Sequence, residues 1–418
     1  MEDSALSTNL IARVVHLSLN ARGGAERLAV VTIKILNSMG IDVELATLDN
    51  PDMPLVQEAF GEDGRTEIKK ISQLDMFENE KKSFDITINT HGDMLPFFKE
   101  EFTKKNYFVY CHYPIATSLI ECADPSYSDI LKNLYLNRIL LERPDEHLDY
   151  ARQAYRKMML NSTVLTNSDF SRRAIFEEFG VDSIVLSPPV DVDTFRSACL
   201  WTDIRDNYLL VVSRLHPTKK IENAIRLSKL LKQNGIVKQV KIIGNLSPID
   251  AAYHGYLTNL VRQYDLDDFV KFEVNVNFGR LIELMREAKV YFHPMPGEPF
   301  GISTVEAMSA GLVPVVPDTG GHTEFVPRKY QFHTLGEAAE VVATALDAPA
   351  SERASMSHAM QKFSTANYFK KFRQIVNEVL AISRPTDTSN VILASNRNLS
   401  RQSTGAANTQ ATQNRQYV

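Results

Sequence analysis

Stretches of apolar, β-branched residues alternate with amphipathic stretches along almost the whole chain, and this alternation restricts the fold more than any other feature. The pattern opens with a strand at 13–18, a helix at 24–39 and a strand at 42–48. A strand, helix, strand rhythm builds a parallel sheet covered by helices. Further strands are predicted in the first half of the chain at 85–90, 107–111, 163–166 and 183–186.

The rhythm stops once and then resumes, which predicts two domains of the α/β class. Pro188 and Pro189 interrupt it, and 191–206 has no clear period. With 418 residues the chain is also longer than one hydrophobic core usually serves. We therefore predict doubly wound parallel-sheet domains at 1–190 and 206–364. Strands of the second domain are predicted at 208–213, 239–244, 269–272, 290–293 and 313–316.

Amino-acid composition predicts what lies outside these two domains. The segment 386–418 is rich in Ser, Thr, Asn, Gln and Ala, which predicts a disordered polar tail. No apolar run approaches the roughly 20 residues that cross a bilayer, and no signal peptide is readable at the start. We expect a cytoplasmic protein.

The charge of the chain and its distribution indicate which kinds of ligand to expect. A net charge of -5 is not that of a general nucleic-acid binder, so no nucleic-acid partner is expected. Residues 1–200 hold 21 Lys and Arg against 31 Asp and Glu, and the remainder holds 25 against 20. On electrostatic grounds an anionic small molecule should bind the second half.

Two cations follow a strand of the second domain, where ligands of parallel sheets bind. Arg214 comes directly after the strand at 208–213, and Lys219 opens the next helix. A bidentate guanidinium and a compact ammonium suit a diphosphate. The alternative is a solvated loop with ordinary surface charges.

Two acidic residues follow the strand at 290–293, and each is open to its own interpretation. Ser303 and Glu306 have the spacing of a capping box, so Glu306 is either a helix cap or a ligand of a ribose. Glu298 lies in the loop itself, where no helix needs it, and a carboxylate accepts sugar hydroxyls. Between them we expect phosphate-binding backbone amides from Phe300, Gly301 and Ile302. This combination predicts a nucleotide-sugar site.

These motifs resemble glycosyltransferase family 4. The segment 298–306 is similar to the E-x7-E signature of that family, 214–219 to its Arg-x4-Lys element, and Gly23 and Gly24 to its N-terminal glycine loop. The resemblance implies the GT-B arrangement, two Rossmann-like domains facing a cleft. It also implies a retaining, metal-independent reaction with a nucleotide-diphosphate sugar and no other cofactor. Gly23, Gly24 and Gly244 are assigned to the donor site on this basis.

A narrower similarity concerns the segments 108–114, 187–191 and 298–306. They resemble the family members that act as α-1,2-mannosyltransferases on dolichol-linked oligosaccharides, and their prokaryotic relatives. The resemblance implies GDP-mannose as donor and a polyprenyl-linked saccharide as acceptor. The chain departs from the family at Lys220, where many members have Gly, and it lacks the N-terminal membrane anchor of the eukaryotic enzymes.

Two histidines follow strands of the first domain. A lone His is more often a packed residue than a catalyst, but the family resemblance favours His112 as a contact to the transferring sugar. His91 is a second candidate. With His112 we assign Arg214, Lys219 and Glu298 to catalysis. In a same-face attack, the leaving diphosphate accepts the proton of the acceptor while the two cations hold its charge.

Two amphipathic segments remain. The segment 365–385 is expected to cross back and complete the first domain. A long insertion at 121–159 ends in a basic helix at 150–160, which either makes weak contact with the inner membrane surface or packs Tyr155, Met158 and Met159 in the core.

Other functions stay open at this stage. They are a transferase using a UDP-sugar and a soluble acceptor, a non-catalytic nucleotide-sugar-binding regulator, and a GT-B epimerase or phosphorylase.

Overall fold

The computed structural model describes residues 10–21, 23–60, 68, 70–74, 83–121, 146–199 and 205–383. In these ranges the chain forms two parallel sheets with helices packed against them. The first sheet contains β1 Ile11–Val15, β2 Asp42–Thr47, β3 Lys70–Gln73, β4 Ile86–Asn89, β5 Tyr107–Cys111, β6 Thr163–Thr166 and β7 Ile184–Val185. The second contains β8 Asp206–Val212, β9 Gln239–Gly244, β10 Val270–Val274, β11 Ala288–Phe292, β12 Val313–Pro317 and β13 Gln331–Phe332.

The strand orders place a crevice in each sheet. They are β3-β2-β1-β4-β5-β6-β7 and β10-β9-β8-β11-β12-β13. In each sheet the chain begins at an inner strand and adds strands out to one edge. It then returns to the middle and adds the strands of the other half. Ligands of such sheets bind where the order reverses, beyond the carboxyl ends of β1 and β4 in one sheet and of β8 and β11 in the other.

The helices follow the strands in a regular way. In the first part of the chain they are α1 Gly24–Ser38, α2 Met53–Phe60, α3 Ala116–Glu121, α4 Glu146–Asn161 and α5 Asp169–Phe179. In the rest they are α6 Val192–Cys199, α7 Ile221–Gln233, α8 Ala251–Gln263, α9 Phe278–Glu287, α10 Ile302–Ser309, α11 Leu335–Leu346, α12 Ala350–Ala359 and α13 Thr365–Ser383.

Helix α13 packs on the first sheet although it follows the second in sequence. Its buried residues Tyr368, Phe372 and Val376 belong to the core of the first sheet. The Tyr368 hydroxyl lies 3.2 Å from the hydroxyl of Thr32 on α1. The polar tail expected at 386–418 lies outside the described residues.

Each strand predicted from the sequence overlaps an observed one, and the differences concern short elements. The edge strands β3 and β13 were not predicted, because two to four residues give little periodicity. Helix α6 occupies half of the segment 191–206, which was predicted to lack a clear period. Its Phe195 and Ala198 pack with Tyr208 of β8 in the second core.

A buried arginine fixes the helices of the second domain. The guanidinium of Arg205 donates hydrogen bonds to the backbone carbonyls of Ala198, Met285, Ala288 and Ala310. These carbonyls lie at or beyond the C-terminal ends of α6, α9 and α10, where helices leave acceptors unpaired. One side chain therefore ties together the three helices, including the one that follows the Glu298 loop.

The basic end of α4 does not present an apolar face. Tyr155, Met158 and Met159 are buried in a core that covers the first sheet, while Arg152 and Lys157 are exposed. The core-packing alternative is therefore correct for these residues. The interior of the insertion, 122–145, lies outside the described residues, and no described helix has the length and apolarity to span a membrane.

Candidate functional site

The two domains meet where the start of α5 faces the loop before α10 and the segment around Glu324. The hydroxyl of Ser168 donates a hydrogen bond of 2.6 Å to the carbonyl of Pro299. The carboxylate of Glu324 accepts hydrogen bonds from the amides of Asp169 and Phe170 at 3.2 and 2.8 Å, and so caps helix α5 of the opposite domain. These contacts hold the two crevices face to face.

Lys219 and Glu298 form the centre of the second crevice. Lys219 lies in a short 3-10 turn, Pro217–Lys219, just before α7. Its Nζ lies 2.8 Å from Oε2 of Glu298, and both side chains are largely buried. Arg214 is exposed at the end of β8. The crevice thus holds one cation engaged with a carboxylate and a second that reaches towards the first domain.

The Glu298 loop is held by a glycine turn. Gly320 adopts a left-handed φ of 119°, and a Cβ there would lie 2.6 Å from the carbonyl oxygen of Glu298. The amide of Gly321 donates to that same carbonyl at 2.8 Å, and the amide of Gly297 donates to the carbonyl of Thr319 at 3.1 Å. Only glycine allows the turn so close to the loop.

Glu298 is ionised in this setting. Burial alone would raise its pKa, but the Lys219 ammonium and the adjacent His293 ring hold the pKa of Glu298 well below its usual value. His293 follows β11 directly, and its Nε2 lies 3.4 Å from Oε2 of Glu298. The loop therefore presents a fixed carboxylate, an acceptor suited to hydroxyl groups.

Helix α10 does not use the capping box expected at Ser303 and Glu306. It begins at Ile302, and its N-cap is Gly301, which has a left-handed φ of 94° and no side-chain cap. Ser303 instead lies 2.8 Å from the hydroxyl of Tyr291. The interpretation of Glu306 as a helix cap is wrong, because the N-cap is Gly301, two residues before the Ser303 that this pairing needs.

Glu306 is mostly buried and faces the first domain. Burial raises its pKa to about 7, the charge of Arg27 on α1 opposes this rise, and the charge of Asp191 adds to it. Neither Arg27 nor Asp191 was singled out from the sequence as a neighbour of this carboxylate. Their influence shows that Glu306 lies where the two domains meet.

The start of α10 offers donors for an anion. Within the described part of the chain, no hydrogen bond between residues uses the amides of Phe300, Gly301 and Ile302. Phe300 is buried against Phe325 and Phe363, which fixes the direction of this backbone. Amides at a helix start favour negative charge.

Gly244 lies beside Arg214 for a packing reason. A Cβ at Gly244 would lie 2.0 Å from the carbonyl oxygen of Ser213. The glycine therefore lets the end of β9 approach the end of β8, the strand that delivers Arg214.

The glycine loop of the first domain is held by a buried acid. The amide of Gly23 donates a hydrogen bond of 2.6 Å to Oε2 of Glu26. Burial would raise the pKa of Glu26, but the hydrogen bond and charge of His16 and the charge of His91 lower that pKa to about 2. A Cβ at Gly24 would lie 2.3 Å from Cδ1 of Ile302 on α10. The loop therefore reaches the donor side of the cleft.

Three histidines line the first crevice. The rings of His16 and His91 stack with centroids 4.7 Å apart, and His112 meets His91 edge-on at 6.3 Å. Burial lowers the pKa of His91 well below its usual value, neighbouring His16 and His112 add to this, and Arg214 across the cleft contributes in the same direction. Nδ1 of His91 and Nε2 of His112 are buried without a hydrogen-bond partner among the described residues.

Sequence reasoning missed His16, His293 and Arg27. Both histidines directly follow predicted or observed strands, so their position at a carboxyl end was the available signal. For Arg27 no local signal existed, because its relation to Glu306 depends on how the two domains meet.

Comparisons with known proteins agree with this architecture. Residues 202–363, which contain the second sheet, match the family model described as Glycosyl transferases group 1. A relative in Dictyostelium discoideum, GDP-Man:Man(3)GlcNAc(2)-PP-Dol alpha-1,2-mannosyltransferase, is 28% identical over 221 residues, covering 49% of this chain and 44% of the relative. The match therefore spans less than half of that relative's length.

A second relative and a solved structure complete the comparison. D-inositol 3-phosphate glycosyltransferase of Kineococcus radiotolerans is 28% identical over 173 residues, covering 38% of this chain and 40% of the relative. The crystal structure of Anabaena HepE in complex with UDP and glucose superposes with a TM-score of 0.61 at 16% identity, covering 88% of this chain and 99% of that one. The fold is GT-B, with two Rossmann-like parallel-sheet domains.

Proposed function

We propose that this chain is a glycosyltransferase that moves a hexose from a nucleotide-diphosphate sugar to a hydroxyl acceptor. The observation that carries the proposal is the meeting of Lys219, Glu298 and the amides of residues 300–302 in one crevice, opposite His112. A cation and helix-start amides suit the diphosphate, and a fixed carboxylate suits the sugar hydroxyls.

The proposed roles follow from these positions. Glu306 accepts the ribose hydroxyls, and Glu298 accepts hydroxyls of the transferred hexose. Arg214 and Lys219 neutralise the diphosphate as its bond to the anomeric carbon breaks. The hydroxyl of the acceptor attacks from the same face, its proton passes to the leaving phosphate oxygen, and the configuration at the anomeric carbon is retained. His112 contacts the hexose from the first domain.

Metal independence is part of the proposal, because protein cations supply the charge on the diphosphate. Activity should survive EDTA. Loss of activity with EDTA, restored by a divalent ion, would contradict this part alone.

The donor is proposed to be GDP-mannose and the acceptor a polyprenyl-linked saccharide. The support is the Dictyostelium discoideum relative, which is named as an enzyme that uses GDP-Man and a PP-Dol-linked saccharide and matches this chain over 221 residues. A thermal-shift panel of GDP-mannose, UDP-glucose and UDP-GlcNAc tests the donor, because a ligand at 100 times its Kd adds roughly 2.7 kcal/mol to the free energy of unfolding. Stabilisation by GDP-mannose alone is expected.

A UDP-sugar donor with a soluble acceptor is the second candidate. HepE was crystallised with UDP and glucose, and the Kineococcus radiotolerans relative is named for a small phosphorylated inositol. Transfer to a soluble sugar compared with a polyprenyl-diphosphate-linked sugar decides between the two acceptors. A regulator that binds the donor without turnover would show stabilisation by a sugar nucleotide but no release of nucleotide.

Contact with the inner membrane surface belongs to the same proposal, since a polyprenyl acceptor is membrane-bound. The apolar face of α4 is buried, so this helix would contribute only its charges, and each is worth about 1 kcal/mol near an anionic leaflet. Co-sedimentation with anionic liposomes should then occur at low salt and disappear at high salt.

A further inference from the structure

A chain of buried polar side chains runs from helix α10 to Glu298. The hydroxyl of Ser303 lies 2.8 Å from the hydroxyl of Tyr291. The Tyr291 hydroxyl lies 3.0 Å from Nδ1 of His293. On the other side of the ring, Nε2 lies 3.4 Å from Oε2 of Glu298, and this buried nitrogen makes no hydrogen bond to any described residue. Tyr291 and His293 are both buried, so no water competes for these contacts from the protein surface.

The chemistry of the two ends fixes the direction of the chain. An ionised carboxylate only accepts hydrogen bonds, so the hydrogen of the His293 ring belongs on Nε2, facing Glu298. In a ring that carries its single hydrogen on Nε2, Nδ1 is an acceptor, and the Tyr291 hydroxyl donates to it. Burial raises the pKa of Tyr291, so this hydroxyl keeps its proton. Ser303 in turn donates to the Tyr291 oxygen.

The surroundings of His293 do not disturb this arrangement. Its neighbour His322 lies with ring centroids 5.3 Å away. Burial and the neighbouring His293 lower the pKa of His322 to about 3, so His322 is neutral, and its Nε2 donates to the carbonyl of Pro317 at 2.9 Å. The charged groups near His293 are therefore Glu298 and, beyond it, Lys219.

Lys219 and His293 both contact the same oxygen of Glu298. Both contacts are made by Oε2. When a diphosphate draws Lys219 away, His293 is the remaining donor that holds Oε2 in place. Without it the carboxylate would lose its orientation at the moment when the sugar must be bound.

We propose that His293 is a positioning residue for Glu298 and that Tyr291 and Ser303 fix its Nε2–H tautomer. The inference rests on the proposed function, because it deepens the role of Glu298 as the acceptor of hexose hydroxyls. Neither His293 nor Tyr291 is proposed to touch the substrate.

The test compares Tyr291→Phe with a matched control. Tyr208→Phe also removes a buried hydroxyl from the same core, where it bonds to the carbonyl of Leu284 and to Glu287, away from Glu298. Tyr291→Phe should lower kcat with GDP-mannose about threefold to tenfold, the effect of one buried hydrogen bond. Tyr208→Phe should leave kcat unchanged, and both should leave the Kd of GDP unchanged.

A second pair of variants tests the histidine itself. His293→Leu removes the donor, and His293→Gln keeps an N–H near the position of Nε2. We expect a fall in kcat of about tenfold or more for His293→Leu, with substantial recovery in His293→Gln. Equal kcat in Tyr291→Phe and Tyr208→Phe, together with equal kcat in the Leu and Gln variants, would overturn the proposal.

Two readouts separate this inference from the proposed function. The first is the ratio of Kd for GDP-mannose to Kd for GDP, which needs no turnover and should rise in His293→Leu. The second is the ¹⁵N chemical shift of His293, which should report Nε2–H in the wild type and change in Tyr291→Phe. If the wild type binds no sugar nucleotide, the proposed function fails. A wild-type Nδ1–H spectrum overturns the inference whatever the activity.

Discussion

Gly24 of the first domain and Ile302 of the second approach so closely that a side chain at position 24 would displace the end of the Ile302 side chain. A Cβ at Gly24 would lie 2.3 Å from Cδ1 of Ile302. Ile302 is the first residue of α10, so this contact brings the glycine loop onto the proposed phosphate-binding amides.

Substituting Gly24 should push the Ile302 side chain aside at the start of α10, where the two domains meet. Gly24→Ala should lower kcat by about tenfold to 100-fold, since small displacements of reacting groups are costly. The double variant Gly24→Ala with Ile302→Ala shortens the opposing side chain and should recover most of the lost kcat. The control is Gly255→Ala on α8, which meets nothing within 4 Å. Failure of the double variant to recover would assign the loss to something other than this contact.

Removing either cation of the second crevice should slow transfer. Arg214→Ala and Lys219→Ala each leave charge on the leaving diphosphate uncompensated, and we expect kcat to fall by about 100-fold or more. Lys238→Ala, which removes an exposed lysine near Asp206, is the matched control. Steady-state kinetics with the sugar nucleotide check this, and near wild-type turnover in both variants would remove the clamp from the mechanism.

Glu306 should make stability depend on pH in a definite direction. Its raised pKa means that the folded state holds a proton more tightly than the unfolded state between pH 4.5 and about 7. The resulting stabilisation is complete below that window and is lost as the pH rises through 7. The glutamine of Glu306→Gln does not titrate, so this variant does not lose stability as the pH rises. The free energy of unfolding of Glu306→Gln minus that of the wild type should therefore increase between pH 5 and pH 8, by up to about 3 kcal/mol.

The same variant separates ligand from structural roles. Since the amide is a poorer acceptor of ribose hydroxyls, affinity for the free nucleotide should fall in Glu306→Gln at pH 8. Denaturant melts at several pH values and nucleotide titrations measure the two effects. A stability difference that does not change with pH would contradict the buried position, and unchanged affinity would contradict the ribose contact.

Lys220 has a backbone conformation that favours glycine, the residue that the family resemblance leads us to expect at this position. Its backbone is left-handed, with φ 51°, between the Lys219 turn and α7. Lys220→Gly should remove this strain and raise the free energy of unfolding by up to about 1 kcal/mol. Lys220→Ala keeps the strained conformation and should give no such gain. Equal stability of the Gly and Ala variants in chemical denaturation would argue against backbone strain.

The local sequence pattern predicts the strands of both sheets, but it does not predict the contacts between the two domains. The strands at 107–111, 163–166 and 239–244 have the predicted bounds, because polar residues flank each of these largely apolar segments. The spacing of Ser303 and Glu306 suggested a cap, but the left-handed Gly301 begins the helix elsewhere. Backbone conformation at a glycine is not readable from spacing alone.

The site shows the same division. Arg214, Lys219, Glu298 and Glu306 were singled out from the sequence, because they stand at strand ends or in recognisable motifs. Arg27 beside Glu306 and Ile302 against Gly24 depend on domains far apart in sequence. The buried face of α4 was open to two readings, since an amphipathic helix reads alike whether its apolar side meets a core or a membrane.

Transfer of labelled mannose tests the central claim most directly. The full chain is incubated with GDP-mannose labelled in the sugar and a polyprenyl-diphosphate-linked saccharide, and released GDP and labelled lipid-linked product are both measured. The account predicts equal amounts of the two in the wild type and the loss of both in Glu298→Ala, with the Kd of GDP unchanged. No release of nucleotide from GDP-mannose, UDP-glucose or UDP-GlcNAc, with lipid-linked or soluble acceptors, would contradict it.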